Sequence, residues 1–210
     1  RQQMVLADNV YLSSNEHARA DVMMESRDAR FIKECQSAYP LHNYERLAPL
    51  VNGQRQIKHD IEVALVQQAC DITKQGFLRL LSFVKPGVGE WEIEAELAHE
   101  FLKNRSRGFA YEPIIASGGN ACVLHYLDND QLCLDGDLIL LDVAAEYANY
   151  NSDLTRTIPV NGKYTERQRQ VYDALLRVFR QAITMLKPGA LIKTYQEGVG
   201  QLVEDELIKL

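Results

Sequence analysis

A chain of 210 residues, 46% apolar and 25% charged, has the make-up of one or two soluble globular domains. A net charge of −6 with no basic face to offset it argues against nucleic-acid binding, and no apolar run reaches the length of a membrane span. No signal peptide opens the chain. The four cysteines, Cys35, Cys70, Cys122 and Cys133, match neither zinc-ligand nor dense disulfide spacing, so they are expected as buried thiols in a reducing compartment, the cytoplasm.

The chain opens on Arg1 rather than Met, so an upstream segment is expected to have been removed or left out. Val10–Leu12 reads as a short strand, and residues 14–35 as a charged helix. Pro40, Pro49 and Asn52–Gly53 then break the pattern. Residues 1–55 are too few for a core of their own and are expected to be the tail of a larger N-terminal domain plus a linker. From residue 60 to 84 the apolar positions Ile61, Leu65, Ala69, Ile72, Phe77, Leu80 and Leu81 recur at helical spacing. Lys85–Pro86–Gly87 ends that helix, and a second is expected over 91–102.

After residue 107 the period changes. Ile114–Ala116 and Cys122–Tyr126 read as strands, separated by a turn at Ser117–Asn120. Residues 138–143 form the most strand-like run present, and 151–160 return as its partner. Thr165, with Gln168 three residues on, is a capping-box start for a helix reaching Leu186. A further helix begins near Thr194. The spacing predicts an α+β fold in which an antiparallel sheet over 114–160 is covered on one face by helices 60–84 and 165–186.

Phe83–Val84–Lys85–Pro86–Gly87 is echoed by Met185–Leu186–Lys187–Pro188–Gly189, and each copy stands between two helices. Chance is the alternative, since Pro-Gly commonly follows helices. If the pseudo-two-fold repeat is real, strands equivalent to 107–160 would fall near 209–262, so the second unit is expected to be incomplete in this chain.

Asp142 and Asp153 are equidistant from a hairpin midpoint placed between Tyr147 and Ala148. With that midpoint they are direct cross-strand partners on one face, with β-carbons about 5 Å apart. Two like charges so placed repel by roughly 3 kcal/mol at an effective dielectric of 20. A divalent cation between them would offset this, and an all-oxygen pair favours Mn²⁺, Mg²⁺ or Ca²⁺. Thr155 is expected on the same face, where its hydroxyl could orient a ligating carboxylate. The alternative leaves Asp153 as a rim residue paired with Arg156. His125 is expected on a neighbouring strand, as a structural histidine or as a group that hydrogen-bonds substrate or carries a proton. His99–Glu100 begins like a zincin helix, but Lys103 stands where the second histidine belongs. The acidic face from Glu90 to Glu100 is expected to be solvated.

Three stretches, residues 117–126, 135–147 and 153–165, resemble the pita-bread metallopeptidases in composition and order. That family includes aminopeptidase P, prolidase, methionine aminopeptidase and creatinase. Asp153–Leu154–Thr155–Arg156–Thr157 and Pro159–Val160–Asn161–Gly162–Lys163 look most like bacterial aminopeptidase P, with prolidase close behind. The resemblance covers about residues 55–210. It implies that 1–55 is the end of a creatinase-like N-terminal domain and that 56–210 is an incomplete pita-bread catalytic domain. It implies that Asp142 holds one metal and Asp153 bridges two, most often Mn²⁺. It implies that His125 contacts substrate near the scissile amide and that Tyr111 lies near the metal centre. The implied activity is removal of the N-terminal residue from peptides with proline in second position, through a dinuclear metal-bound hydroxide. A homo-oligomer is implied as well. The family's remaining ligands, one histidine and two glutamates, have no counterpart here, so the chain alone is expected to be inactive. An Xaa-Pro dipeptidase and a non-catalytic pita-bread binding protein are the alternatives.

Overall fold

The computed structural model describes residues 3–14 and 25–210. These fall into two compact units, Arg1–Val63 and Ala64–Leu210. In the first, β1 (Asn9–Leu12) pairs in parallel with β2 (Asn43–Arg46). Of the helix expected over 14–35, residues 15–24 lie outside the described residues. Its described part, α1 (Arg27–Ala38), is capped by Ser26, whose hydroxyl accepts a hydrogen bond from the Ala29 N–H at 3.1 Å. The expected break at Pro49 and Asn52–Gly53 is instead a helix, α2 (Ala48–Gln56). Proline is tolerated there because the first-turn N–H it lacks has no intrahelical partner anyway.

The second unit carries the longer elements. α3 (Asp60–Phe83) and α4 (Glu90–Lys103) follow the apolar spacing. The sheet comprises β3 (Ile114–Ser117), β4 (Leu138–Asp142) and β7 (Thr155–Pro159), antiparallel in the order β3-β4-β7. Along β4, Ile139 and Leu141 point into the core while Leu138, Leu140 and Asp142 point to the other face. Ile72 and Leu80 of α3, Ile93, Leu97 and Phe101 of α4, and Ile115 of β3 complete that core. α4, which the expectation left out, therefore joins α3 on the sheet's apolar face, while the helix after Thr165 adds no residue to that buried cluster and meets the same face at Arg156 of β7, which lies against Phe179. That helix, α5 (Glu166–Met185), buries Ala174, Val178 and Ala182 and pairs with α6 (Ile192–Ile208). Its capping box is formed: Thr165 Oγ1 accepts from Gln168 N–H at 3.3 Å, and Gln168 Oε1 accepts from Thr165 N–H at 2.8 Å.

The repeat is visible in backbone geometry. Phe83 and Met185 end their helices, and Glu90 and Ile192 open the next ones, 102 residues apart in each case. Between them, Lys85–Val88 and Lys187–Ala190 each close a turn whose fourth N–H donates to the first carbonyl, at 3.2 and 3.0 Å. Gly87 (φ 90) and Gly189 (φ 88) occupy the third position, which in a Pro-Gly turn of this type requires the left-handed region.

Among the described residues no helix is long and apolar enough to cross a membrane. All four cysteines are free thiols; Cys35 and Cys133 are buried as expected, but Cys70 and Cys122 are exposed.

Candidate functional site

The hairpin that carries the aspartates turns one residue later than its symmetry suggested. Tyr147 pairs with Tyr150 across Ala148 and Asn149, both left-handed at φ 51 and 67. Two consecutive residues with positive φ are what a two-residue hairpin turn of matching twist demands. β5 (Glu146–Tyr147) and β6 (Tyr150–Asn151) flank that turn, and the same register continues into β4 and β7. Asp142 is consequently opposite Thr155, not Asp153. A shift of the midpoint by one moves every partner by two, so the face is preserved: Asp153 lies diagonally from Asp142 on the same side.

The structure brings the two together through a third residue. Tyr111, in the irregular segment before β3, has its hydroxyl 2.7 Å from Asp142 Oδ1 and 3.2 Å from Asp153 Oδ1. Burial, the hydrogen bond to Asp142 and the charges of both aspartates push the Tyr111 phenol far above its usual range, so it stays a donor. A phenol has one proton, and it serves the nearer carboxylate. Two adjacent carboxylates with one donor between them retain an uncompensated negative charge, and oxygen donors of this kind suit a hard divalent cation. Among the described residues no group of three or more His, Cys, Asp or Glu side chains is placed to hold a metal, and Asp142 and Asp153 are two oxygen donors only.

The alternative pairing of Asp153 with Arg156 is not what forms. The Arg156 guanidinium lies 5.7 Å from the centroid of the Phe179 ring and donates to the Thr155 carbonyl at 2.8 Å. Thr155 is exposed, and among the described contacts its hydroxyl bonds neither carboxylate.

Between the aspartates the hairpin is held from behind. The buried Thr73 hydroxyl of α3 accepts from Ala145 N–H at 2.8 Å and meets the Ser152 hydroxyl at 2.6 Å. Ser152 in turn donates to the Ala145 carbonyl at 2.9 Å. Ser152 precedes Asp153, so this hydroxyl pair ties the loose middle of the hairpin to the helix. No periodicity signals it, because Thr73 is simply the polar member of an apolar stripe.

His125 is not on a strand. Residues 118–122 form a short 3-10 helix, and His125 follows it in a turn, exposed and left-handed at φ 54. Val123 and Leu124, which suggested a strand, are 54% and 87% exposed.

The excursion is held by residues that periodicity assigned to solvent. Glu90 is fully buried and Glu100 nearly so, against the expected solvated acidic face. Glu90 Oε1 accepts from Ser117 N–H at 2.7 Å and from the Asn120 amide at 3.4 Å. Its Oε2 accepts from the Tyr126 hydroxyl at 2.8 Å and from Gln131 N–H at 3.0 Å. Four donors are what a buried carboxylate needs, since each buried partner left unpaired costs roughly 1–3 kcal/mol. Asn129, buried at φ 46, does the same for the edge of β3: its side chain accepts from Ile115 N–H at 3.1 Å and donates to the Pro113 carbonyl at 3.1 Å. Glu100 accepts from Arg79 at 3.4 Å and from Asn104 at 3.0 Å, joining α3 to α4.

The sequence profile of metallopeptidase family M24 matches residues 64–209. The chain is 40% identical over 162 residues to the Xaa-Pro aminopeptidase of Haemophilus influenzae, covering 77% of this chain and 38% of that protein. It is 35% identical over 204 residues to the Xaa-Pro aminopeptidase of Escherichia coli, covering 97% of this chain and 46% of that one. A zinc-substituted Escherichia coli aminopeptidase P in complex with product superposes with a TM-score of 0.84 at 31% identity, over all of this chain and 48% of that one. The chain thus spans less than half the length of the proteins it matches.

Proposed function

We propose that this chain, which belongs to metallopeptidase family M24 and has its pita-bread fold, contributes to the active site of an Xaa-Pro aminopeptidase. The reaction is hydrolysis of the peptide bond that joins an N-terminal residue to a proline. The observation that carries the reading is the arrangement of Asp142 and Asp153 on one sheet face, sharing the Tyr111 hydroxyl, inside the segment that matches the family.

In this reading Asp142 would hold one divalent ion and Asp153 would contribute to holding that ion and a second. Tyr111 orients Asp142, and Thr155, opposite Asp142 and two residues past Asp153, flanks the pair. Such ions, when bound, polarise a scissile carbonyl and lower the pKa of water. An all-oxygen pair suits Mn²⁺, Mg²⁺ or Ca²⁺, and the resemblance to aminopeptidase P favours Mn²⁺ among them. Two carboxylates fill too little of a divalent ion's coordination shell, so the reading requires further donors. We read His125, exposed on its turn, as a hydrogen-bond partner of substrate rather than as a ligand. Proline in second position has no amide hydrogen and a fixed φ, so the enzyme must recognise shape where other peptidases use a backbone donor.

The free thiols support a reducing compartment, which we take as the cytoplasm. The reading extends to a homo-oligomer, checked by light scattering. The decisive experiment measures metal content and release of the N-terminal residue from Xaa-Pro peptides by the complete gene product. Chelator-sensitive release restored by Mn²⁺ is expected. Metal-free protein that binds proline peptides without cleaving them would overturn the reading, and cleavage confined to Xaa-Pro dipeptides would make it a dipeptidase.

A further inference from the structure

We propose that Glu90 positions His125 for its contact with substrate, an inference that rests on the role given to His125 above. Residues 118–130 leave the end of β3 and return toward β4, and His125 lies at the exposed part of that path. Its side chain is exposed, its backbone is left-handed at φ 54, and among the described residues no hydrogen bond holds its ring. What fixes it is the next residue. Tyr126 is buried and its hydroxyl donates to Glu90 Oε2 at 2.8 Å.

The same carboxylate grips both ends of the excursion. Ser117 N–H and the Asn120 amide reach it on the outward path, and Tyr126 and Gln131 N–H on the return. The four bonds are directional, so their geometry sets the shape of the loop. Glu90 opens α4, an element seated in the core through Ile93, Leu97 and Phe101, so the loop inherits a rigid reference. A glutamine at this position would keep the volume. It would, however, turn an NH₂ group toward at least one backbone N–H, because Ser117 and Gln131 donate to different oxygens.

The test is a double-mutant cycle in the complete gene product, comparing Glu90→Gln, His125→Ala and the double variant. Metal content, kcat and KM on an Xaa-Pro peptide, and amide hydrogen exchange of the metal-free protein are measured. Glu90→Gln is expected to lower kcat about 10- to 100-fold with metal content unchanged. Exchange should quicken across 117–131 while α3 and α5 stay protected. In the His125→Ala background the same change should cost less than about twofold, because its effect passes through His125. Should Glu90→Gln fail to fold, Tyr126→Phe removes one of the four donors and should show the same non-additivity at smaller size. Full retention of the Glu90 effect in the His125→Ala background would overturn the positioning role. Wild-type turnover by His125→Ala would overturn the reading of His125, and the positioning role with it, and that single variant shows which premise failed.

Discussion

Asp142 and Asp153 reach their places along a backbone ladder, whereas His125 reaches its place through one buried carboxylate. On the hairpin, the two paired stretches, Leu138–Asp142 with Thr155–Pro159 and Glu146–Tyr147 with Tyr150–Asn151, keep one register on either side of the loose middle, and the alternation of the strand decides which face each carboxylate takes. On the loop there is no ladder. Ser117, Asn120, Tyr126 and Gln131 converge instead on a single side chain that precedes the first of them by 27 residues. The groups proposed to hold metal sit on the stiff element, and the group proposed to meet substrate sits on the element whose shape depends on few bonds. Local stability differs in the same way, since ladders embedded in a core open far less readily than loops.

The sharpest way to break this contrast is Asp153→Ala in the complete gene product. If the carboxylate bridges two ions, its loss should remove bound metal and turnover together, read by elemental analysis and by release of the N-terminal residue. His125→Ala should behave differently: metal remains at the wild-type level and turnover falls by about 100-fold or more. Equal metal loss in both variants would show that the hairpin and the loop are not separate in role. A third comparison concerns stability alone. Leu141→Ala empties a fully buried position on β4 and should cost about 2–5 kcal/mol in denaturant unfolding. Leu124→Ala, 87% exposed beside His125, should stay within about 0.5 kcal/mol. Comparable losses at the two positions would mean that the loop carries core packing that its exposure does not show.

The hairpin was legible in the sequence and the loop was not, for reasons that lie in the interactions themselves. A strand advertises itself through alternation, and parity forgives a small error. The turn was placed at Tyr147–Ala148 and formed at Ala148–Asn149, which changed the partner of Asp142 from Asp153 to Thr155 but not its face. The helices were legible too, through apolar spacing, the Thr165–Gln168 box and the paired Lys-Pro-Gly turns. Cys122–Tyr126 imitates a strand because its apolar residues are contiguous, yet Val123 and Leu124 face solvent. Nothing in a periodic pattern marks Glu90 as different from Glu92 or Glu94. Its burial follows from donors in residues 117–131, and contacts of that range leave no local trace. Tyr111 was found only by resemblance, since an irregular segment offers no register from which to predict where a phenol points.

The smallest expected effect sharpens the contrast through pH. Tyr126 is pushed up to about 12, first by burial and then by its hydrogen bond to Glu90, while in the unfolded chain a tyrosine titrates near 10. A folded-state pKa above the unfolded one means that the native protein holds a proton that the unfolded chain releases. The stability this provides is fully present below about pH 10 and is lost as pH rises from there through about 12. Tyr111 and Tyr164 are raised as well, so the wild-type protein should show a falling alkaline limb in denaturant unfolding followed from pH 9 to 12. Tyr126→Phe removes the share that belongs to the loop. At neutral pH it should cost about 1.5–3 kcal/mol, the net worth of one hydrogen bond to a charged group, and its alkaline limb should be shallower than that of the wild type. The remaining slope then belongs to the other groups that are raised, Tyr111 at the aspartate pair, Tyr164 beside α5, Tyr44 and the buried Cys133 thiol. Parallel limbs in the two proteins would show that the Tyr126 phenol is not held against a buried carboxylate, and the account of the loop as hung from Glu90 would fail on its own geometry.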